Sequence, residues 1–276
     1  MAAVLQSASR DALAEAGDHL DARVDGSSAA DLKQLGDDLF AVLRLLTTEI
    51  GLRRSLADPT TPGAARSGLA DRLLNGKISR SALDVVNDLV SARWSRTGDL
   101  LEGVEVLARR ATLGVAEKDS TLDDVEDQLF RFGRILDREP QLSSLLADQS
   151  TPADKRVALL HTVLGGKVSP VAETLLEQTV RIPRGRNLQV AAEELSELAA
   201  ARRDRYVAHV RTPVRLTAEQ EQRLTDSLTR LYNRPISLQV ELDPSLLGGL
   251  VVQVGGELID GSVSSKLATA RRKLPS

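Results

Sequence analysis

The feature that most constrains this chain is that part of it is written twice. DDLFAVLRLLTTEIGLRRSLADPTTPGAARSGLADRLLNGKIS, at residues 37–79, aligns without a gap on DQLFRFGRILDREPQLSSLLADQSTPADKRVALLHTVLGGKVS, at residues 127–169. Of the 43 paired positions 18 are identical, at an offset of 90, among them Leu39/Leu129, Phe40/Phe130, Leu56/Leu146, Asp58/Asp148, Pro62/Pro152 and Lys77/Lys167. Self-similarity of this kind means that one structural unit is repeated. The likeness weakens after Ser79 and Ser169, yet WSRTGDLLEGVEVLARR still echoes RGRNLQVAAEELSELAA. A unit of about 95–105 residues is long enough to bury a core of its own.

Spacing makes each unit helical. Leu32, Leu35, Leu39, Val42, Leu43, Leu46 and Ile50 recur at three and four residues, and Val125, Leu129, Phe132, Ile135 and Leu136 do so in the second copy. Such recurrence puts one apolar stripe along a helix. Thr61 before Pro62, and Thr151 before Pro152, predict a capping hydroxyl followed by proline at the first helical position. Ser79 and Ser169 predict caps for the next helix, with Gly76 and Gly166 ending the previous one. Each unit is thus expected to hold five or six helices.

Past Arg205 the period changes. YVAHVRTPVRL, at 206–216, alternates like a strand that Pro213 demotes toward a sheet edge. Thr217 and Gln220 then form the ends of a Thr-x-x-Gln capping box for TAEQEQRLTDSLTRLY. ISLQVELD, GLVVQVG and ELIDG read as further strands, the last two separated by the hairpin dipeptide Gly255-Gly256. A closing helix over 262–274 carries Arg271, Arg272 and Lys273 in its final turn, where positive charge complements the helix dipole. The expected fold is mainly α with a small α+β domain: helical bundles at 1–98 and 99–204, then a C-terminal domain of short strands and two helices at 205–276.

Composition excludes more than it proposes. Aromatic residues make up 2% of the chain, so the cores must be built from Leu, Val, Ala and Ile, and the stacking platforms of a single-strand nucleic-acid reader are missing. The three segments carry −1, −5 and +3, which sum to the chain's −3, far from the basic field of a duplex binder. Without cysteine there is no disulfide, thiolate metal site or cysteine nucleophile. The N-terminal residues do not read as a secretory signal, and no apolar run approaches the ~20 residues that span a bilayer. Membrane association is therefore expected only through a partner.

The motifs that suggest chemistry have simpler readings. NGKIS and GGKVS resemble the end of a phosphate loop, but the required first glycine is replaced by Asp71 and His161 and no strand precedes either site, which points to a helix–helix turn. His19, His161 and His209 lack metal-ligand spacing. The acidic run LDDVED at 122–127 suits the first turn of a helix. Arg181, Arg184 and Arg186 surround a Pro/Gly turn, either a solvated loop or a site for an anion or partner carboxylate. Trp94, the only tryptophan, is either core or an interface anchor. None of the constellations an enzyme needs is present, and no cofactor is implied.

The C-terminal segment resembles the end of the delta subunits of bacterial F-type ATP synthase, the family of the oligomycin-sensitivity-conferring protein. There a strand, an acidic-x-x-Leu-x-Gly-Gly step, a second strand, an Ile-Asp-Gly-Ser turn and a basic helix follow in that order. The matching residues are Asp243, Leu246, Gly248, Gly249, Val252, Asp260, Gly261, Ser262 and Leu267. LFRFGRILDREPQLSSLLADQSTPADKRVALLHTVLGG resembles the central helices of the family's N-terminal bundle, so residues 1–98 are an added copy, as in the actinobacterial form. The resemblance implies a non-catalytic stator of the peripheral stalk, one copy per complex, peripheral on the cytoplasmic face of the membrane. Its bundle would hold N-terminal helices of the alpha subunits and its C-terminal domain the distal end of the b subunit, so that the alpha3beta3 head does not turn with the rotor during proton-driven synthesis. At the family residues the structural reading comes first, turns between short strands, with b-subunit contact second. A free-standing adaptor that binds amphipathic helices in another complex is the competing class.

Overall fold

The computed structural model describes residues 5–204, 207–232, 236–254 and 257–263. The chain divides into two compact units, Met1–Ala199 and Ala200–Ser276. The first unit is entirely helical among its described residues: α1 (Ser7–Gly26), α2 (Ala29–Thr48), α3 (Ile50–Ala57), α4 (Gly63–Leu74), α5 (Arg80–Ser91), α6 (Thr97–Lys118), α7 (Leu122–Arg138), α8 (Pro140–Ala147), α9 (Ala153–Leu164) and α10 (Pro170–Arg181), with most of α11 (Leu188–Asp204).

The repeat fixes the order of these helices. A shift of 90 residues lays α1 on α6, α2 on α7, α3 on α8, α4 on α9, α5 on α10 and α6 on α11. Helix α6 thus closes the first bundle and opens the second. It is buried on nearly every side, with Leu100, Leu107, Ala108, Ala111 and Leu113 inaccessible to solvent. A single apolar core consequently runs from Ala12 to Ala199. The expected border at 98 falls in the opening turn of a helix that both bundles use, and that at 204 falls at the end of α11.

Local signals repeat with the fold. Ser28 opens α2 with a capping box, its Oγ accepting from Asp31 N at 3.2 Å while Asp31 accepts from Ser28 N at 3.2 Å. Ser79 Oγ accepts from Ala82 N at 3.3 Å and Ser169 Oγ from Ala172 N at 3.2 Å. The N–H of each cap donates to the same repeat position, Asp38 Oδ2 in one copy and Gln128 Oε1 in the other. Helices α4 and α9 start one residue later than expected: Pro62 and Pro152 are themselves the caps. Thr61 and Thr151 instead donate to Asp58 and Asp148, which close a small turn that also takes the N–H of Thr60 or Ser150. Two stripe residues face outward, Ile50 because α2 stops at Thr48, and Ile135 at the rim of α7.

The second unit is a four-stranded sheet in the order β2-β1-β3-β4, with β1 (Val207–Thr212), β2 (Ser237–Leu242), β3 (Val251–Val254) and β4 (Glu257–Asp260). β1 runs parallel to β2 and antiparallel to β3, and β4 closes a hairpin with β3. A parallel pair needs a crossover, and α12 (Ala218–Tyr232) supplies it, capped by the expected box in which Thr217 N donates to Gln220 Oε1 and Gln220 N to Thr217 Oγ1. Proline acts differently from the expectation here. β1 lies inside the sheet, with its last residue, Thr212, just before Pro213, so Pro213 ends the strand rather than lying on an edge. Ala208, Val210, Leu228, Ile236, Val252 and Val254 form the core of this unit. The Gly255-Gly256 turn, the expected helix past Val263 and Leu267 lie outside the described residues.

Candidate partner-binding site

The two bundles present different surfaces at equivalent positions. In the first, α1 and α5 flank a groove of about 210 Å³ whose small residues Ala12, Ala16, Ser91 and Ala92 are bordered by Glu15, His19 and Asp88. His19 Nδ1 and Arg23 Nη1 each lie 3.2 Å from Asp88 Oδ2 and tie the rim of α1 to α5. Small side chains on two neighbouring helices leave room for a third helix to approach.

The counterpart in the second bundle, between α6 and α10, is filled by charge. Glu105 and Arg109 on α6 are buried, and Glu105 takes Arg109, Arg184 and Arg186. Arg184 also bonds Glu102 at 3.0 Å, and Arg186 lies 3.6 Å from Glu194 on α11. Burial pushes the Glu105 carboxyl upward, but Arg109, Arg186 and Arg184 together outweigh it and hold the group below the usual glutamate range. For Arg109, burial dominates and lowers its value despite Glu105. Of the arginines that the sequence placed around a Pro/Gly turn, Arg184 and Arg186 are thus half-buried and held by carboxylates of the chain itself, and Arg184 also lines a cleft with Arg44, Arg156 and Arg181. Arg181 bonds Asp154 and Glu177 on the surface.

The remaining sequence candidates resolve one by one. Trp94 is core: it is 3% exposed, its Nε1 donates to Leu89 O at 2.7 Å, and its ring occupies the space a side chain at Gly103 would need, 2.6 Å from Cη2. NGKIS and GGKVS are the turns joining α4 to α5 and α9 to α10. Asp123 and Asp124 lie in the first turn of α7, as the dipole favours. His161 faces Glu173 and Glu177, His209 is exposed on β1, and the described residues hold no cluster suited to a metal.

In the second unit the family-signature residues that are described converge on one corner. Asp243 closes a turn by accepting from Ser245 N at 3.0 Å, and its own N–H donates to Thr212 O. Those turn bonds, led by the Ser245 hydroxyl, hold its carboxyl below the usual aspartate range. Asp260 does the same with Ser262 N at 2.9 Å. Leu246 N bonds Asp243 O, and Val263 N bonds Gly248 O. Gly249, at φ +80°, abuts this second turn so closely that a Cβ would sit 2.5 Å from Gly261 O. Val252 and Ser262 are buried. This corner is built by backbone and short side chains, and Leu247 next to it is exposed.

Fold and surfaces together define a scaffold protein, made of helical bundles followed by a small α+β unit, in which buried Glu105 is paired with arginines and buried Arg66 and Arg156 are bonded to backbone carbonyls. The family described as ATP synthase delta (OSCP) subunit matches residues 107–274. ATP synthase subunit delta of Streptomyces griseus is 44% identical over 98% of this chain and 99% of its own length, and that of Streptomyces avermitilis is 46% identical over 98% of each. ATP synthase subunit b-delta of a Mycobacterium species (strain KMS) is 46% identical over 98% of this chain and 61% of its own length. A chain in the cryo-EM structure of the Toxoplasma gondii mitochondrial ATP synthase hexamer superposes with a TM-score of 0.36 at 18% identity, over 62% of this chain and 98% of that one.

The chain belongs to the ATP synthase delta (OSCP) subunit family, in its long, actinobacterial-type form. It is a structural, non-catalytic subunit of the peripheral stalk, and so part of a membrane-bound complex. None of its described helices is long and apolar enough to cross a membrane.

Proposed function

We propose that the helical unit grips the catalytic head through N-terminal helices of the alpha subunits, while the C-terminal unit holds the distal end of the b subunit. One copy per complex, on the cytoplasmic face, then resists the torque that would otherwise turn the head with the rotor. The observation that carries this reading is a groove of about 210 Å³ lined by the small residues Ala12, Ala16 and Ala92 on a chain of this family. Such a surface serves helix-in-groove recognition and needs no bond chemistry. The b subunit as second partner is supported by the relative whose name joins b and delta in one protein. The corner formed by Asp243, Gly248, Gly249, Asp260 and Ser262, with exposed Leu247 beside it, is the proposed b contact.

Membranes stripped of head and of this chain provide the test. Purified head is expected to rebind only when the chain is added back, and Leu247→Asp to weaken rebinding through the b side. Heads that rebind equally well without the chain would refute the role.

A further inference from the structure

We infer that the cleft where the end of α2 meets α9 and α10 is a binding site for a phosphate-type oxyanion, free or as the charged group of a small molecule. It lies at the seam of the two bundles and shares no residue with the groove between α1 and α5.

The cleft measures about 400 Å³ and is lined by Arg44, Arg156, Arg181 and Arg184, with no acidic residue among its described walls. Two of these cations are committed to the chain's own carboxylates, Arg181 to Asp154 and Glu177, Arg184 to Glu102 and Glu105. The other two have no ion pair among the described residues. Arg44 Nη1 donates at 2.9 Å to Gln178 Oε1, a neutral acceptor. Arg156 is buried, and its three bonds, from Nε to Thr151 O and from Nη1 to Leu146 O and Val180 O, reach backbone carbonyls only. A buried guanidinium without a counter-charge is costly. Burial and the positive charge of Arg181 hold Arg44 below the usual arginine range, despite the more distant Glu177 and Asp37.

The repeat shows how much of this the fold itself needs. One copy earlier, Arg66 stands at the position of Arg156 and plays the same part, donating to Ser91 O and Ala92 O at the end of α5. There it acts alone, because Ser91 and Trp94 occupy the positions of Arg181 and Arg184. The counterpart of Arg44 is Arg134, which faces Asp137 on the surface. Tying down the helix end thus takes one arginine, and the seam adds three more. Guanidinium forks match the oxygens of phosphate two at a time. The cleft also has the size of a small-molecule site, with Ile182 and Pro183 as an apolar wall beside the charge. A bound oxyanion supplies the counter-charge that Arg44 and Arg156 lack, and ties α2 of the first bundle to α9 and α10 of the second.

Calorimetric titration of the full chain at constant ionic strength tests this, with inorganic phosphate, inorganic pyrophosphate and a nucleoside diphosphate as probes and chloride as the control anion. We expect one oxyanion per chain, with a rise in melting temperature that chloride does not give. Uptake of phosphate itself identifies a free anion as the ligand, and uptake of the larger probes alone identifies the charged group of a phosphorylated molecule. Arg44→Gln should weaken binding by about tenfold or more. Arg80→Gln, which removes an exposed arginine outside the cleft, should leave it unchanged. Gln178→Glu separates binding from folding: it gives Arg44 a carboxylate within the chain, and should raise the melting temperature of the free chain while weakening oxyanion uptake by a similar factor. No uptake of any probe, uptake that chloride matches, or full affinity in Arg44→Gln or Gln178→Glu would overturn the inference.

Discussion

Phe40 and Phe130 occupy the same position in the two repeats, yet one is 2% exposed and the other 54%. Phe40 lies one turn after Gly36, which touches α6, and one turn before Arg44, which bonds α10, so it is covered by the second bundle. Phe130 meets no such cover among the described residues of the helical unit. The pair Trp94 and Arg184 shows the same divergence: where the first bundle fills a repeat position with an indole against Gly103, the second fills it with an arginine reaching Glu102 and Glu105. Repeats that stack share interfaces, and terminal units keep the surfaces that inner ones bury. Sequence identity between copies therefore preserves the helices and their caps, while neighbours decide what each surface does.

Cutting the shared helix should break this arrangement most severely. A fragment of residues 1–98 lacks α6 and is expected to show no cooperative thermal transition, whereas 1–118 should melt cooperatively. If 1–98 melts as sharply as 1–118, the bundles are separate and α6 belongs to the second alone.

The phenylalanine pair comes next. Phe40→Ala should destabilise the chain by about 3–5 kcal/mol, as for a fully buried aromatic, and Phe130→Ala by under about 1 kcal/mol, both read from chemical denaturation. Equal losses would contradict the idea that the second bundle covers α2.

Glu105 and Glu15 form a second such pair. Glu105→Ala leaves Arg109, Arg184 and Arg186 without their common carboxylate and should cost about 3–5 kcal/mol, against a few tenths for Glu15→Ala on the surface. Because the folded-state value of Glu105 is depressed, its contribution is complete above the usual glutamate range and is lost as pH falls through that lowered value. Glu105→Gln should accordingly flatten the acid limb of a stability–pH profile between those limits.

The smallest effect separates two helix glycines. Gly36→Ala should destabilise by about 1–3 kcal/mol, since its Cβ meets Thr112 Oγ1 at 2.5 Å. At Gly133 the nearest atom, Ala192 Cβ, would be 3.6 Å away, so Gly133→Ala should be neutral or gain up to ~1 kcal/mol from helix propensity. Thermal melts of the two variants compare them directly.

Much of this was legible from residues alone. The repeat at 37–79 and 127–169, the caps Ser79 and Ser169, the Thr217/Gln220 box and the three later strands all depend on neighbours a few residues apart, which a sequence displays. What stayed hidden depends on distant partners. Arg184 and Glu105 are 79 positions apart, and no local pattern says that they meet. The double use of α6 is only hinted at by the sequence, as a helix across 99–117 that the repeats could share, because the copies diverge most at their first and last helices, whose surroundings differ between an inner and an outer position. Pro213 suggests an edge strand by its residue type, but proline serves equally to end an inner one. The family corner was legible residue by residue, although only the φ of Gly249 and its contact with Gly261 explain why its glycines are there.

The central claim is that this chain carries force between stalk and head without making or breaking a bond. Proton-driven ATP synthesis by membrane vesicles, measured beside ATP hydrolysis by the same heads, tests it most directly. Vesicles lacking the chain should lose synthesis while their released heads still hydrolyse ATP, and adding the purified chain back should restore synthesis. Undiminished synthesis in its absence would contradict the account.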